Sequence, residues 1–366
     1  MREDLKSIVE GRRISAEEGA EILRTADWLE IAQAAWEVRV ARHGADTASY
    51  TMFRVVNYTN ICNVDCKFCS FQVKPESKFA YVLDKEAVFT KVEESLAQGA
   101  DQMFFQGGVH PDLPLDYYTD ILSAVKARYG IHIRAFSPVE VLGLSKVSGR
   151  PLGEVLDKLK DAGVDSIPGA GAELLVERMR ELLTPLKCTT QQWCDIMAEC
   201  HEHGLKGSAT MVVGAGETLE ETVAHLEAVR GIQDKTGGFH SFIPWVYQQQ
   251  TKRFKVHKLR PDEFMKIMAF SRLYLDNIDN IEISVLVLGK DLGKIALRMG
   301  ANDISSAVIE ENVLKSFGLR SEKEAVKYIE EAGFRAVRRN FNYEPMEPMS
   351  VVWPKPESVD VSAVAS

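Results

Sequence analysis

The segment Thr59-Asn60-Ile61-Cys62-Asn63-Val64-Asp65-Cys66-Lys67-Phe68-Cys69 places three cysteines, Cys62, Cys66 and Cys69, in C-x3-C-x2-C spacing. A [4Fe–4S] cluster has four irons and usually takes one thiolate for each. The next cysteine is far away, at Cys188. One iron would stay open to a small molecule, so the spacing points to chemistry and not only to electron storage. A structural zinc site usually takes four ligands, and no partner pair stands at suitable spacing.

Outside this segment, Cys188, Cys194 and Cys200 are spaced six apart. On a helix, at roughly 100° per residue, that spacing scatters them around the axis. They read as buried small hydrophobes. Six cysteines in 366 residues are too sparse for a disulfide scaffold. Reduced thiols fit better, and a cluster needs them. Net charge is −9, from 44 basic and 53 acidic residues, which argues against a nucleic-acid partner. The start, Met1-Arg2-Glu3-Asp4-Leu5-Lys6, has no apolar signal core. No apolar run reaches the roughly 18 residues a membrane span needs. The expected location is cytoplasmic, with no membrane partner.

Residues 1–50 read as a helical extension. Ser15-Ala16-Glu17-Glu18 has the form of a capping box, and a second helical run covers Trp28 to Arg42. From residue 53 short β-branched and aromatic runs alternate with helical stripes. The strand candidates are Phe53–Tyr58, Gln102–Gln106, Ile131–Phe136, Val164–Ile167, Ser208–Val213, Phe239–Pro244, Ile281–Val287 and Asp303–Val308. Helical stripes lie between them, such as Val88, Val92 and Leu96. Such alternation implies parallel strands with crossover helices. Eight candidates predict an α/β fold, a complete (β/α)8 barrel over residues 51–345. Residues 346–366, with Pro354-Lys355-Pro356, read as a frayed tail.

The cysteine motif, with Phe68 just before its last cysteine, resembles the signature of the radical S-adenosylmethionine (SAM) superfamily. The resemblance implies a [4Fe–4S] cluster on Cys62, Cys66 and Cys69 whose open iron chelates the amino and carboxylate groups of SAM. Reductive cleavage then yields a 5′-deoxyadenosyl radical that abstracts hydrogen from a substrate. It also implies a TIM-type barrel, with an external one-electron donor such as flavodoxin or ferredoxin.

Longer stretches narrow the resemblance. They are Asn57-Tyr58-Thr59-Asn60, Gln106-Gly107-Gly108-Val109-His110-Pro111-Asp112, Ala135-Phe136-Ser137-Pro138, Ser166 to Glu173, Phe242-Ile243-Pro244-Trp245 and Gly300-Ala301-Asn302-Asp303. They are similar to a menaquinone-pathway subgroup containing dehypoxanthine futalosine cyclases and aminofutalosine synthases, with deazaflavin FO synthases as cousins. Ile243-Pro244-Trp245 and Arg338-Arg339-Asn340 look most like the cyclases. The cyclase reaction starts from a ribose bearing a 3-carboxyphenyl ketone. Hydrogen loss at C4′ is followed by attack on the aromatic ring, which closes a spiro ring. The synthases instead add the radical to an enolpyruvyl double bond. A cluster protein with no radical chemistry is the non-enzymatic alternative. Three stretches depart from the usual family pattern: Gly169-Ala170-Gly171, Val246-Tyr247-Gln248-Gln249 and Ser70-Phe71-Gln72.

Residue roles follow from the resemblance and from chemistry. Phe68 would lie near the adenine. Gln106, Gly107 and Gly108 would hold the methionine amino group, the glycines because bare backbone can approach a ligand closely. On that reading Gly108→Val weakens SAM binding and spares the cluster. Gly214 and Glu217 resemble the loop bordering the adenine. Glu173 is expected at the ribose, or else as a helix N-terminal acid. Arg178 and Arg180 could pair with a carboxylate or sit on a solvated face. Ser137 is a donor to cofactor or substrate, or a helix cap. His110 is a candidate general base or a structural histidine. Trp245 and Tyr247 could stack on an aromatic substrate or pack under the barrel mouth. Asn302 and Asp303 begin the last strand, the wrong end for catalysis, and read as structural.

Overall fold

The computed structural model describes residues 1–249, 251, 253–256, 258–308 and 319–347. The expected tail therefore lies outside the described residues from 348 onward. The strands are β1 (Thr47–Val56), β2 (Gln102–Phe105), β3 (His132–Arg134), β4 (Gly207–Val213), β5 (Phe239–Val246), β6 (Asn280–Ile281), β7 (Asp303–Val308) and β8 (Arg335–Arg338). The helices begin with α1 (Glu3–Val9), α2 (Ala16–Thr25), α3 (Trp28–His43), α4 (Lys85–Ala97), α5 (Leu115–Tyr129), α6 (Pro138–Ser148) and α7 (Leu152–Asp161). They continue with α8 (Glu177–Leu183), α9 (Thr190–Glu202), α10 (Leu219–Thr236), α11 (Pro261–Tyr274), α12 (Val285–Leu288), α13 (Lys290–Ala296) and α14 (Glu322–Glu331).

The strands close a parallel ring. β1 pairs with β2 and β2 with β3. Single bridges join Arg134 to Ser166 and Ile167 to Gly207. β4, β5 and β6 follow in parallel. Glu282 bridges to Asp303, and β7 returns to β1. This is the expected barrel, with differences of detail. Val164–Ile167 contributes bridges only. The Ile281–Val287 candidate is strand at Asn280–Ile281 and then turns into α12. β1 starts at Thr47, inside the range expected as helical. The cause is β8, a strand outside the eight candidates, which pairs with Thr47–Tyr50. Ser49 pairs with both β8 and β7, and Phe53 with both β2 and β7. β8 and β2 therefore share one edge of β1, with β8 nearer its N-terminal end.

Local chemistry sets the helix starts. The Ser15 capping box is present, Glu18 N–H donating to Ser15 Oγ at 3.2 Å and Ser15 N–H to Glu18 Oε2 at 3.0 Å. Thr189 with Gln192 and Thr218 with Glu221 do the same for α9 and α10, each satisfying otherwise orphan N–H groups. The N-terminal helices share the barrel's hydrophobic core. Gly19 of α2 lies so close to Phe270 and Tyr274 of α11 that a Cβ there would meet Tyr274 at 2.9 Å.

The N-terminal end of the barrel is plugged by charge. Arg339 donates to both Asp303 oxygens at 2.7 and 3.0 Å and lies 3.5 Å from Glu282. Arg338 reaches Glu322 at 3.3 Å and Asp101 at 3.4 Å. Asn302 Oδ1 accepts from Arg272 and from Ile281 N–H. Arg338, Arg339, Asn302 and Asp303 are thus structural at the end opposite the loops that follow the strands.

Candidate active site

The loops after the strands surround a cavity of about 350 Å³. Cys62, Cys66 and Cys69 all line it. Their loop is held by backbone bonds to three other segments: Cys62 N–H to Val73 O (3.2 Å), Asn63 N–H to Val109 O (3.0 Å) and Lys67 N–H to Leu183 O (3.0 Å). Asp65 takes a left-handed φ of 55° at the turn, and Arg253 pairs with its carboxylate at 2.8 Å. Asn57 and Asn60 brace the approach, Asn57 donating to Gln106 O and Asn60 to Phe79 O, both at 2.8 Å.

The donor set fits a cluster better than a lone ion. Among the described residues no three His, Cys, Asp or Glu side chains are grouped to hold one metal ion. A four-iron cluster asks for something else, separate thiolates on separate irons. Three cysteines on one cavity wall, with Val109 N–H 3.4 Å from Cys62 Sγ, provide that. Burial pushes the Cys66 thiol up to about 12, opposed mainly by the nearby Lys187 ammonium. The Lys187 ammonium beside Cys66 favours the thiolate form that a cluster requires.

Gln106, Gly107 and Gly108 line the same cavity, but the reason for glycine differs from the expected one. A Cβ on Gly108 would lie 2.1 Å from the Ile61 carbonyl oxygen, and one on Gly107 2.8 Å from the Tyr58 ring. The close approach of Gly108 is to the cysteine loop, so bulk there is expected to disturb the cluster loop as well as any ligand. Glu140 of α6 locks this arrangement. Its carboxylate accepts from Gly107 N–H at 2.8 Å, Tyr58 O–H at 2.7 Å and Ser137 N–H at 2.8 Å. Burial pushes its carboxyl up, and these donors oppose the rise. Ser137 lines the cavity too, but its hydroxyl donates to Glu140 while capping α6.

Glu173 lines the cavity with a left-handed φ of 42°. Its Oε1 accepts from Lys187 Nζ at 2.6 Å, and its Oε2 is buried without a partner. An orphan carboxylate oxygen beside the cysteines suits a ribose hydroxyl. Burial pulls the Lys187 pKa down, but Cys66 and Glu173 outweigh it and the net shift is upward. Phe68 and Tyr247 face each other edge to face at 6.1 Å. Trp245 shares this wall, its buried Nε1 unpartnered.

Five expected residues lie off the cavity wall. His110 Nδ1 accepts from Asp112 N–H at 3.1 Å and Leu113 N–H at 3.0 Å, which makes it a turn residue, and burial holds its pKa below the usual value. This geometry supports the structural alternative for His110. Arg178 is exposed and donates to both Glu221 oxygens. Arg180 is buried and donates to Ala172 O at 2.7 Å and Cys188 O at 2.8 Å. Both guanidinium groups are committed within the chain. Glu217 accepts from Gly214 N–H and Ala215 N–H at 2.6 and 2.8 Å, closing the turn before α10 on itself.

Three cavity groups went unseen in the sequence. Lys187 has no motif around it. Glu140 was visible only as the last residue of Ser137-Pro138-Val139-Glu140, a capping-box spacing. Arg134 is a charge in the apolar run Ile131–Phe136, the one signal that could have found it.

Two family models match the chain: the Radical SAM superfamily over residues 56–229 and the CofH/MqnC C-terminal region over residues 236–352. The chain is 39% identical over 345 residues to a cyclic dehypoxanthine futalosine synthase of Halalkalibacterium halodurans, covering 93% of each. It is 35% identical to the enzyme of that name from Streptomyces coelicolor, covering 93% of this chain and 88% of that one. An aminodeoxyfutalosine synthase of Thermus thermophilus is 33% identical, with 96% of each covered. Among solved structures, an FeFe-hydrogenase maturase from Carboxydothermus hydrogenoformans superposes with a TM-score of 0.73 at 17% identity, covering 93% of this chain and 79% of that chain. That likeness bears on the fold alone. The chain is a radical SAM enzyme that takes a [4Fe–4S] cluster and SAM, and it belongs to the branch of that superfamily that carries the CofH/MqnC C-terminal region.

Proposed function

We propose that the enzyme cyclises dehypoxanthine futalosine to cyclic dehypoxanthine futalosine in menaquinone biosynthesis. The observation that carries this reading is the 39% identity, over 93% of both chains, to an enzyme named cyclic dehypoxanthine futalosine synthase. Cluster and SAM, when bound, supply an adenosyl radical able to take a hydrogen from C4′ of the substrate ribose.

The chain's own residues would bind, orient and exclude water. Cys62, Cys66 and Cys69 would hold the cluster. Glu173 would accept from a ribose hydroxyl through its free oxygen. Phe68, Trp245 and Tyr247 would form an aromatic wall, and the apolar flanks Val55, Val212 and Ile243 would keep water from a reactive radical. The reading brings with it an external one-electron donor such as flavodoxin or ferredoxin. A cytoplasmic location suits the reduced thiols that a cluster requires.

Substrate deuterated at C4′ tests the reading. The expected result is deuterated 5′-deoxyadenosine and a product two hydrogens lighter than the substrate. A covalent adenosyl adduct without free 5′-deoxyadenosine would instead mark the synthase reaction and overturn the cyclase reading.

A further inference from the structure

Arg134 is a buried cation at the cavity wall that the site described so far does not use. It is the last residue of β3, level with Phe104 of β2 and, through it, Val55 of β1. It is 8% exposed and lines the cavity. One amino group donates to Ser208 Oγ at 2.5 Å, and the guanidinium carbon stands 4.9 Å from the centre of the Phe104 ring. Its Nε–H is buried with no partner.

The nearby carboxylates bond to other groups. Glu282 accepts from Ser241 and Tyr343 and faces Arg339, all through one oxygen, and it attracts Arg134 only from beyond ion-pair distance. Asp303 is held by Arg339 on both oxygens. Arg134 has no carboxylate within ion-pair distance among the described residues, unlike Lys187 higher in the cavity, which has Glu173. A guanidinium stays charged at any physiological pH, and the distant pull of Glu282 leaves the buried Nε–H without an acceptor, a donor whose desolvation is not repaid. A fork of donors on an aromatic ring suits a planar anion bonded in the guanidinium plane.

We propose that Arg134 anchors the substrate by its carboxylate, with the attached aromatic ring lying along Phe104, Val55 and Ile243 toward the cysteines. The proposal rests on the cyclase reading for the identity of the acid, but the anchor itself is a property of the cavity. It makes Arg134 a specificity residue, one that rejects neutral analogues, since they would leave the buried charge unpaired.

The test uses the full reconstituted chain and two probes, dehypoxanthine futalosine and its carboxamide, with binding read by calorimetry. The wild-type protein should prefer the acid by about tenfold to a hundredfold, the worth of a charge-assisted pair. Arg134→Gln, at unchanged iron content and circular dichroism, should lose that preference by weakening the acid alone. Equal binding of acid and amide by the wild-type protein would overturn the anchor without any variant. A folded Arg134→Gln protein that still prefers the acid would overturn it as well. Acid preference at Arg134 without cyclised product would keep the anchor and refute the cyclase reading. Turnover with no acid preference would do the reverse.

Discussion

Replacing Gly108 by alanine should cost the enzyme its cluster before it costs anything else. Gly108 donates its N–H to Thr59 O at 2.8 Å, which fixes its strand-end loop against the segment leading into Cys62. An alanine Cβ would sit 2.1 Å from the Ile61 carbonyl oxygen, 2.7 Å from its carbon and 3.1 Å from Cys62 Cβ. Ordinary contact begins at 3.4 Å, so the deficit is about 1.3 Å. The obstacle is backbone, so no rotamer change relieves it. Ile61 N–H is tied to Thr59 Oγ1 and Cys62 N–H to Val73 O, which limits how far the peptide can retreat. Overpacking typically costs 1–3 kcal/mol, and a backbone clash belongs at the upper end, about 3 kcal/mol. The assay is iron and sulfide content after anaerobic reconstitution, with the urea midpoint of the same protein. Both should fall. Gly231→Ala is the control: Gly231 lies within α10 and its Cβ would meet nothing within 4 Å, so it should be neutral or stabilising by up to about 1 kcal/mol. Full iron content and an unchanged midpoint in Gly108→Ala would refute the packing argument.

Two other predictions follow from the cysteines and from a buried histidine. Alanine at Cys62, Cys66 or Cys69 should abolish binding of the roughly four irons of one cluster, whereas alanine at Cys188, Cys194 or Cys200 should leave iron content unchanged; iron analysis of the six variants decides it. His225 is fully buried, its pKa held down to about 3 by burial, and its Nδ1 accepts from Leu175 N–H at 2.9 Å. In the unfolded chain it would titrate near 6.5, so between those values the unfolded state binds the extra proton. Its contribution to stability is therefore complete above pH 6.5 and declines as pH falls toward 3, by up to about 1.4 kcal/mol per pH unit. Urea midpoints measured from pH 7.5 down to 5 should show a shallower decline in His225→Gln, and parallel curves for the two proteins would rule this out.

Some assignments were legible because they depend on neighbours in the chain. The cysteine spacing is a local property, and so is the Ser15 to Glu18 cap, which needs only four consecutive residues. The barrel could be read from alternating strand and helix patterns, since each crossover is built from adjacent sequence. β8 escaped because Arg335–Arg338 is short and half polar, and only the edge of β1 makes it a strand. Val164–Ile167 looked like a full strand by composition, yet its neighbours leave room for two bridges.

The sequence by itself determined a three-thiolate cluster site and an alternating strand–helix architecture, because both are written in spacing and periodicity. Only the tertiary structure decided which polar residues face the cavity. Arg178 and Arg180 look equivalent on paper, but one is spent on Glu221 and the other on backbone carbonyls. His110 is bound to its own turn, while Lys187, Glu140 and Arg134 come to the cavity from distant positions. A side chain's partner is fixed by which elements the fold brings within hydrogen-bond reach, and at separations such as the 74 residues between Arg134 and Ser208 no local pattern carries that information.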